Sequence, residues 1–208
     1  HTQFLAYILN PNQSHGLGDK LIFSFMSLIP KENNNNVTIT DCNFSLASIA
    51  TEKSLKFDSI LNEKKAKSKR IQLDLIIDLP SLSNPNESYL VVIENKIKSR
   101  QSDGQLSDYM DAIQENYSDD KYKKTFLFLN AQNEEPENAK WISIQDSETI
   151  VPAIKILLDD YKDTMSEYMS YILSDYIAIF DENKGAETDK LISDLSGSAH
   201  ESVSELRD

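Results

Sequence analysis

Apolar residues recur at helical spacing from the start of the chain, where Phe4, Leu5, Tyr7, Ile8 and Leu9 form one stripe. This places His1 inside or just before a helix and leaves room for residues upstream. A second helical pattern runs from Leu17 to Ile29 through Leu21, Ile22, Phe25 and Met26, with Gly16 and Gly18 ahead of it and Pro30 ending it. Asn33 to Asn36 reads as a loop, and the β-branched content of Val37–Thr40 and Leu46–Thr51 predicts two strands. Ile71–Leu79 and Tyr89–Ile97 are short, β-branched and bracketed by turn residues such as Pro80, Pro85 and Asn86, which predicts an antiparallel hairpin with a long loop. From Ser102 to Tyr117, Leu106, Tyr109, Met110, Ile113 and Tyr117 share one helix face. Strands follow at Thr125–Asn130 and Trp141–Ile144, then helices near Ser147–Leu158 and Met165–Phe180. No internal repeat is apparent, and the order is that of an α/β fold.

Composition narrows this reading without changing it. The 208 residues suit one domain, expected over 1–180, with 181–208 as an acidic tail or terminal helix. With 39% hydrophobic and 26% charged residues and no apolar run near the ~18 that a membrane span needs, the chain reads as soluble and without a membrane partner. No segment resembles a signal peptide. Cys42 is the sole cysteine, which excludes an internal disulfide or a cysteine-rich zinc site and fits a reducing cytoplasm.

A net charge of −13 argues at first against a nucleic-acid partner, because phosphate binding draws on Lys and Arg. The distribution is uneven. Seven basic residues (Lys53, Lys56, Lys64, Lys65, Lys67, Lys69, Arg70) face only Asp58 and Glu63 between Lys53 and Arg70, whereas from Asp181 onward eight acids outnumber Lys184, Lys190 and Arg207. A local phosphate-binding face and a solvated charged loop both explain the basic stretch.

The candidate chemistry lies in the hairpin. Strand side chains alternate between faces, so Glu94 and Lys96 project the same way; on the partner strand Asp74 shares its face with Gln72 and Ile76, while Ile71, Leu73, Leu75 and Ile77 cover the other. Two carboxylates among apolar neighbours are costly unless paired, and a hard divalent cation held by oxygen satisfies them. A phosphodiester hydrolase needs that set: acids to hold the cation, and an ammonium to stabilise charge in the transition state. Glu-x-Lys is a cheap pattern, however, and recurs at Glu63-Lys64-Lys65 and Glu182-Asn183-Lys184 in polar contexts. A pair of strand-end acids with a salt-bridging lysine explains Asp74, Glu94 and Lys96 about as well.

Asp74, then Glu94-Asn95-Lys96 on the next strand, then Gln105-Leu106-Ser107-Asp108-Tyr109 on a helix resembles the PD-(D/E)xK nuclease superfamily, in its branch with a Q-x-x-x-Y motif. Phe4 to Asp19 (FLAYILNPNQSHGLGD) and Lys124 to Ile144 (KTFLFLNAQNEEPENAKWISI) are similar to a bacterial family within it, so the likeness covers roughly Phe4 to Leu158. Leu73 stands where the proline of the motif would be. The resemblance implies a restriction-endonuclease-like mixed central sheet flanked by helices, and cleavage of DNA with Mg²⁺ or Mn²⁺. It implies that Asp74 and Glu94 are metal ligands, joined by the carbonyl of Asn95, and that Lys96 orients the attacking water and stabilises charge. Glu52 matches a further acid for metal or substrate, though a surface acid explains it equally. Gln105 and Tyr109, one helical turn apart, would hold the catalytic geometry; a capping box from Ser102 and a place in the core are their structural alternatives. His15 and Arg70 match family positions that could contact phosphate, and Lys98 and Arg100 could track a DNA backbone; turn-fixing and solvated charge are the plainer readings.

Three functions stay open at this level: a DNA nuclease acting in defence or DNA processing, a nucleic-acid-binding module with a decayed site, and an assembly protein using the fold as a scaffold with a protein partner or a second copy of itself.

Overall fold

The computed structural model describes residues 1–31, 35–61, 65–96, 103–130, 134–161 and 163–180, without the side chains of 59–61 and 65–67. The apolar stripes become helices α1 (Thr2–Leu9), α2 (Lys20–Leu28), α3 (Gln105–Asn116), α4 (Val151–Tyr161) and α5 (Glu167–Phe180). The strands are β1 (Ser48–Leu61), β2 (Lys65–Pro80), β3 (Ser88–Lys96), β4 (Tyr122–Asn130) and β5 (Trp141–Ile144). No helix among the described residues is long and apolar enough to cross a membrane.

The strands form one five-stranded sheet in the order β1-β2-β3-β4-β5. The first two pairings are antiparallel and the last two parallel, so the sheet is mixed as the resemblance implied. The parallel step from β3 to β4 requires a crossover, which α3 supplies. On one face Leu75, Ile77, Leu79, Val91, Ile93, Leu127 and Leu129 pack under α1, α2, α4 and α5. On the other, Leu73, Ile76, Leu90, Val92, Phe126, Phe128 and Trp141 pack under α3. The strands between these layers are buried on both sides, hence the unbroken apolar runs Tyr89–Ile93 and Phe126–Leu129.

Three expectations are corrected. Val37–Thr40 forms no strand; it leads into a short 3₁₀ turn, Ile39–Asp41, where the Asp41 carboxylate accepts hydrogen bonds from Ser81, Ser83 and Tyr89. Local side-chain bonding of this kind competes with a sheet ladder. The basic stretch is no loop: Lys53–Leu61 and Lys65–Arg70 are the outer part of a long β1-β2 hairpin. The helix expected from Ser147 opens instead with a wider π-type turn, Asp146–Ile150, and becomes α-helical at Val151.

The pleat of the β1-β2 hairpin breaks at one point. In β2, Leu75, Ile77 and Leu79 face the α1 side, but Leu73 faces α3 together with Ile76, although alternation places 73 and 75 on the same face. In β1 the same change falls between Ile49, on the α1 side, and Leu55 and Phe57, on the α3 side. The pairs Thr51↔Leu75 and Lys53↔Leu73 bracket the break, with Glu52 across from Asp74. Glu52 takes up the turn with φ of 52°, a left-handed conformation. Pairing of β2 with β3 also ends there, at Leu75↔Ile93, while β3 stays paired with β4 as far as Lys96↔Asn130. The sheet therefore forks at Asp74 and Glu94.

Left-handed backbone costs an L-residue about 1–2 kcal/mol, and a β-branched one more. Glu52→Gly is expected to hold or raise stability and Glu52→Val to lower it by at least about 1 kcal/mol in urea melts. Equal midpoints for the two variants would show that the fork does not depend on this turn.

Candidate active site

The fork sets the geometry of the acidic pair. Beyond Ile93, β3 has no β2 backbone beside it, and the Asn95 N–H donates to Asp74 Oδ2 at 2.9 Å instead of to a strand carbonyl. Glu94 continues the α3-facing series of Leu90 and Val92 and is 1% exposed. Its Oε1 accepts from Lys96 Nζ at 2.8 Å and from Gln105 Nε2 at 2.9 Å. Its Oε2 is buried and faces no hydrogen-bond donor, and the Asp74 carboxyl lies within hydrogen-bonding reach of the Glu94 carboxyl. Asp74, Glu94 and Lys96 thus meet on one side of β3, as alternation along that strand requires, although Asp74 reaches the site through the break in β2.

Helix α3 holds the arrangement from above. Gln105 Nε2 also donates to Tyr109 Oη at 2.8 Å, and Tyr109 Oη donates to the Gln72 carbonyl at 2.9 Å, tying α3, β3 and the departing β2 together. Gln105 therefore reaches into the site through its Nε2. The helix start is held from a distant loop: the Glu137 carboxylate accepts from the N–H groups of Gly104 and Leu106, at 3.0 Å each. An acid there satisfies orphan donors and complements the helix dipole. Gly104, at φ 75°, makes the turn into the helix. Trp141 backs Tyr109, and its indole N–H donates to the Leu106 carbonyl. Tyr109 is both core and site: it is 7% exposed, and burial with the nearby Glu94 charge raises its phenol well above the usual range.

The other candidates divide. Glu52 is exposed and stands across from Asp74 without joining a metal-binding cluster; among the described residues no three His, Cys, Asp or Glu side chains converge as one. Asn95 turns its side chain to the α1 face, where it bonds to His1 and Thr2, so only its backbone faces the acids. Arg70 is exposed on the hairpin and pairs across the strands with exposed Lys56, while Lys69 is engaged with Asp108 at 2.9 Å. His15 is a correction. It is 6% exposed, its Nε2 bonds to the Asn10 carbonyl and its Nδ1 accepts from the Leu17 N–H, so both ring nitrogens close their own loop. Desolvation lowers its pKa, and with both ring nitrogens engaged it has none left for a phosphate. Lys98, Arg100 and Ser102 lie outside the described residues. Sequence reasoning missed Glu137 and Trp141 as supports of α3, since nothing local in either segment signals a helix more than thirty residues earlier.

Two carboxyls this close in a shielded place resist double ionisation. Burial first, and the Asp74 charge next, push Glu94 up to about 7, with Lys96 opposing. The folded-state value is thus above the unfolded one, near 4.3. Between these values the folded protein keeps a proton that the unfolded chain has lost, so this group's contribution to stability declines from about pH 4.5 to 7 and is level above. In EDTA, stability is expected to fall over that window by up to roughly 3 kcal/mol, and Glu94→Gln should flatten the fall and leave stability at pH 8 unchanged or higher. Denaturant melts from pH 5 to 8 read the slope; parallel profiles for the two proteins would mean that Glu94 ionises as an ordinary surface acid.

The arrangement can bind a hard cation through oxygen and place an ammonium beside it, which is phosphodiester chemistry. No curated protein and no solved structure matches the chain. A sequence profile described as PD-(D/E)XK nuclease superfamily matches residues 1–191. The matched span contains the fork, both acids, Lys96 and the helix that holds them, and the chain belongs to the PD-(D/E)XK nuclease superfamily.

Proposed function

We propose that the protein is a divalent-metal-dependent DNA nuclease whose centre is Asp74, Glu94 and Lys96. The observation that carries the reading is the buried Glu94 carboxyl, whose Oε2 faces no hydrogen-bond donor and which is set against a second carboxyl, Asp74. Such an atom is expensive to leave unsatisfied, and Mg²⁺ or Mn²⁺ between the two acids would satisfy it. Asp74 and Glu94 would hold the ion. In an extended strand a residue's N–H and C=O face the same neighbour, so the Asn95 carbonyl points toward Asp74 and can join them. When bound, the cation polarises a phosphoryl oxygen and lowers the pKa of a bound water.

The remaining roles belong to the chain. Lys96 holds its ammonium on the Glu94 side, where it can orient the attacking water and offset charge on the phosphorane-like transition state. Gln105 and Tyr109 fix the Glu94 rotamer. Glu52, exposed at the mouth of the fork, is available to a second ion or to substrate. Arg70 and Lys56 are cations directly across from each other on the hairpin, an arrangement that is unfavourable unless an anion such as a DNA phosphate lies against it. Lys98 and Arg100, just past β3, extend the same expectation. We place the activity in the cytoplasm, in defence against foreign DNA or in DNA processing. A second reading, a nuclease-like fold that binds nucleic acid or assembles with a partner without cutting, draws on the net charge of −13.

Incubation with linear and circular duplex, single-stranded DNA and RNA, with Mg²⁺, Mn²⁺ or EDTA, separates the two. We expect metal-dependent cleavage of DNA; binding that weakens with salt, without cleavage in either metal, would favour the second reading. Lys96→Ala should abolish cleavage while leaving metal binding largely intact, since an ammonium is not a ligand. Mg²⁺ at a hundredfold excess over its dissociation constant should stabilise the unsubstituted protein by about 2.7 kcal/mol, and Glu94→Gln should lose most of that gain in thermal melts. Full cleavage by Lys96→Ala, or equal metal-induced shifts in both proteins, would count against the assignment.

A further inference from the structure

Behind the acidic pair, on the α1 face of the sheet, lies a second buried polar cluster. Asn95 Nδ2 bonds to His1 Nδ1 and to Thr2 Oγ1, at 2.8 Å each. His1 Nε2 lies 3.0 Å from Asp146 Oδ1 and 2.8 Å from Tyr176 Oη, and Tyr176 Oη donates to the same Asp146 oxygen. The His1 ring stacks on Tyr176 and is flanked by Phe180. Because an amide nitrogen can only donate, His1 Nδ1 is the acceptor and Nε2 carries the hydrogen toward Asp146. The cluster thus runs from α5 and the turn before α4, through the start of α1, to the residue between Glu94 and Lys96.

Packing alone does not account for it. Asp146 is 3% exposed and Tyr176 6%, and Asp146 Oδ2 and Asn95 Oδ1 are buried without a partner. Such groups cost stability where apolar residues of the same size would fit. What they provide is a fixed point. Past Ile93 the catalytic strand has lost its β2 neighbour and keeps a ladder on the β4 side only, so the Asn95 peptide would otherwise be free to rotate about one edge. That peptide carries the N–H bonded to Asp74, and any tilt of it moves Glu94 and Lys96 together.

We propose that His1, Asp146 and Tyr176 form a positioning relay that clamps Asn95 from the back of the sheet and so sets the spacing of Asp74, Glu94 and Lys96 on the front. The relay rests on the reading of Asp74 and Glu94 as the metal-holding pair. His1, Asp146 and Tyr176 touch neither metal nor substrate; they act through Asn95. Outer partners that orient metal-holding groups commonly contribute 10- to 100-fold to affinity or activity.

The test uses the full chain with Tyr176→Phe, which removes the hydroxyl and keeps the ring, together with His1→Ala and His1→Gln. Mn²⁺ binding is read by titration calorimetry, kcat and KM on the DNA substrate by cleavage, and folding by thermal melts in EDTA. We expect folded Tyr176→Phe and His1→Ala to bind Mn²⁺ about tenfold more weakly and to lose about tenfold in kcat with KM little changed. His1→Gln, whose amide can accept from Asn95 and donate toward Asp146, should recover most of both. Mn²⁺ affinity and kcat within twofold of the unsubstituted protein in both disruptive variants would overturn the relay and leave the nuclease reading standing. If His1→Ala does not fold, Tyr176→Phe decides by the same criterion. If the unsubstituted protein binds no Mn²⁺, the nuclease reading falls first, and the relay with it.

Discussion

A buried carboxylate next to another carboxylate is the constraint around which this molecule is arranged. Glu94 is withdrawn from water on the face covered by α3, and an isolated charge there would cost several kcal/mol. Lys96 and Gln105 answer at Oε1, and Asp74 is placed where it makes the deficit worse. A fold selected for stability alone would not bring Asp74 to that spot. Its arrival requires both strands of the hairpin to break their pleat at one level, with Glu52 in a left-handed conformation and β2 parted from β3. The same demand explains the effort spent on α3, whose first turn is held by Glu137 and whose underside rests on Trp141. If that helix shifted, Gln105 and Tyr109 would leave Glu94 with one partner fewer.

Net charge says little about any one face of the molecule because electrostatics at a surface is local. At physiological ionic strength charges are screened beyond about 8 Å, so acids far from the fork contribute little to the local field there. Nearer cations differ in availability. Lys69 is held by Asp108 and Lys53 leans over the Tyr117 ring, whereas Lys56 and Arg70 stay exposed as a cross-strand pair. The basic count between Lys53 and Arg70 therefore overstates the free charge, and the total of −13 does not describe the charge exposed on the hairpin.

The helices and most strands were legible because their apolar periods are long and clean, and the shared face of Glu94 and Lys96 because alternation along β3 needs only two residues of regular strand. What escaped had physical reasons. Alternation assumes an unbroken pleat, and neither Glu52 nor Asp74 is a glycine or a proline that would mark a break, so Leu73 was assigned to the wrong face. Asp41 drew Thr38–Cys42 into a 3₁₀ turn through partners some forty residues away, which no local propensity records. His15 looked chemical because histidine in a polar loop often is, but it is buried and both nitrogens serve the backbone. The His1–Asp146 contact spans 145 positions and carries no motif, so only the folded chain brings it together.

Strand β3 also divides cleanly along its length. Tyr89 to Ile93 is apolar on both faces and paired on both edges, whereas Glu94, Asn95 and Lys96 are polar, begin where one edge is lost, and alternate between the α3 and α1 layers. The apolar part anchors the strand in both cores, and the polar tip inherits its register without contributing to either. Chemistry placed there can be costly without endangering the fold, because the unfavourable groups sit at the end of a strand already fixed by its five apolar residues. The same position makes the tip dependent on side-chain anchors where the ladder has ended: Asp74 on one edge of Asn95, and His1 with Thr2 beneath it.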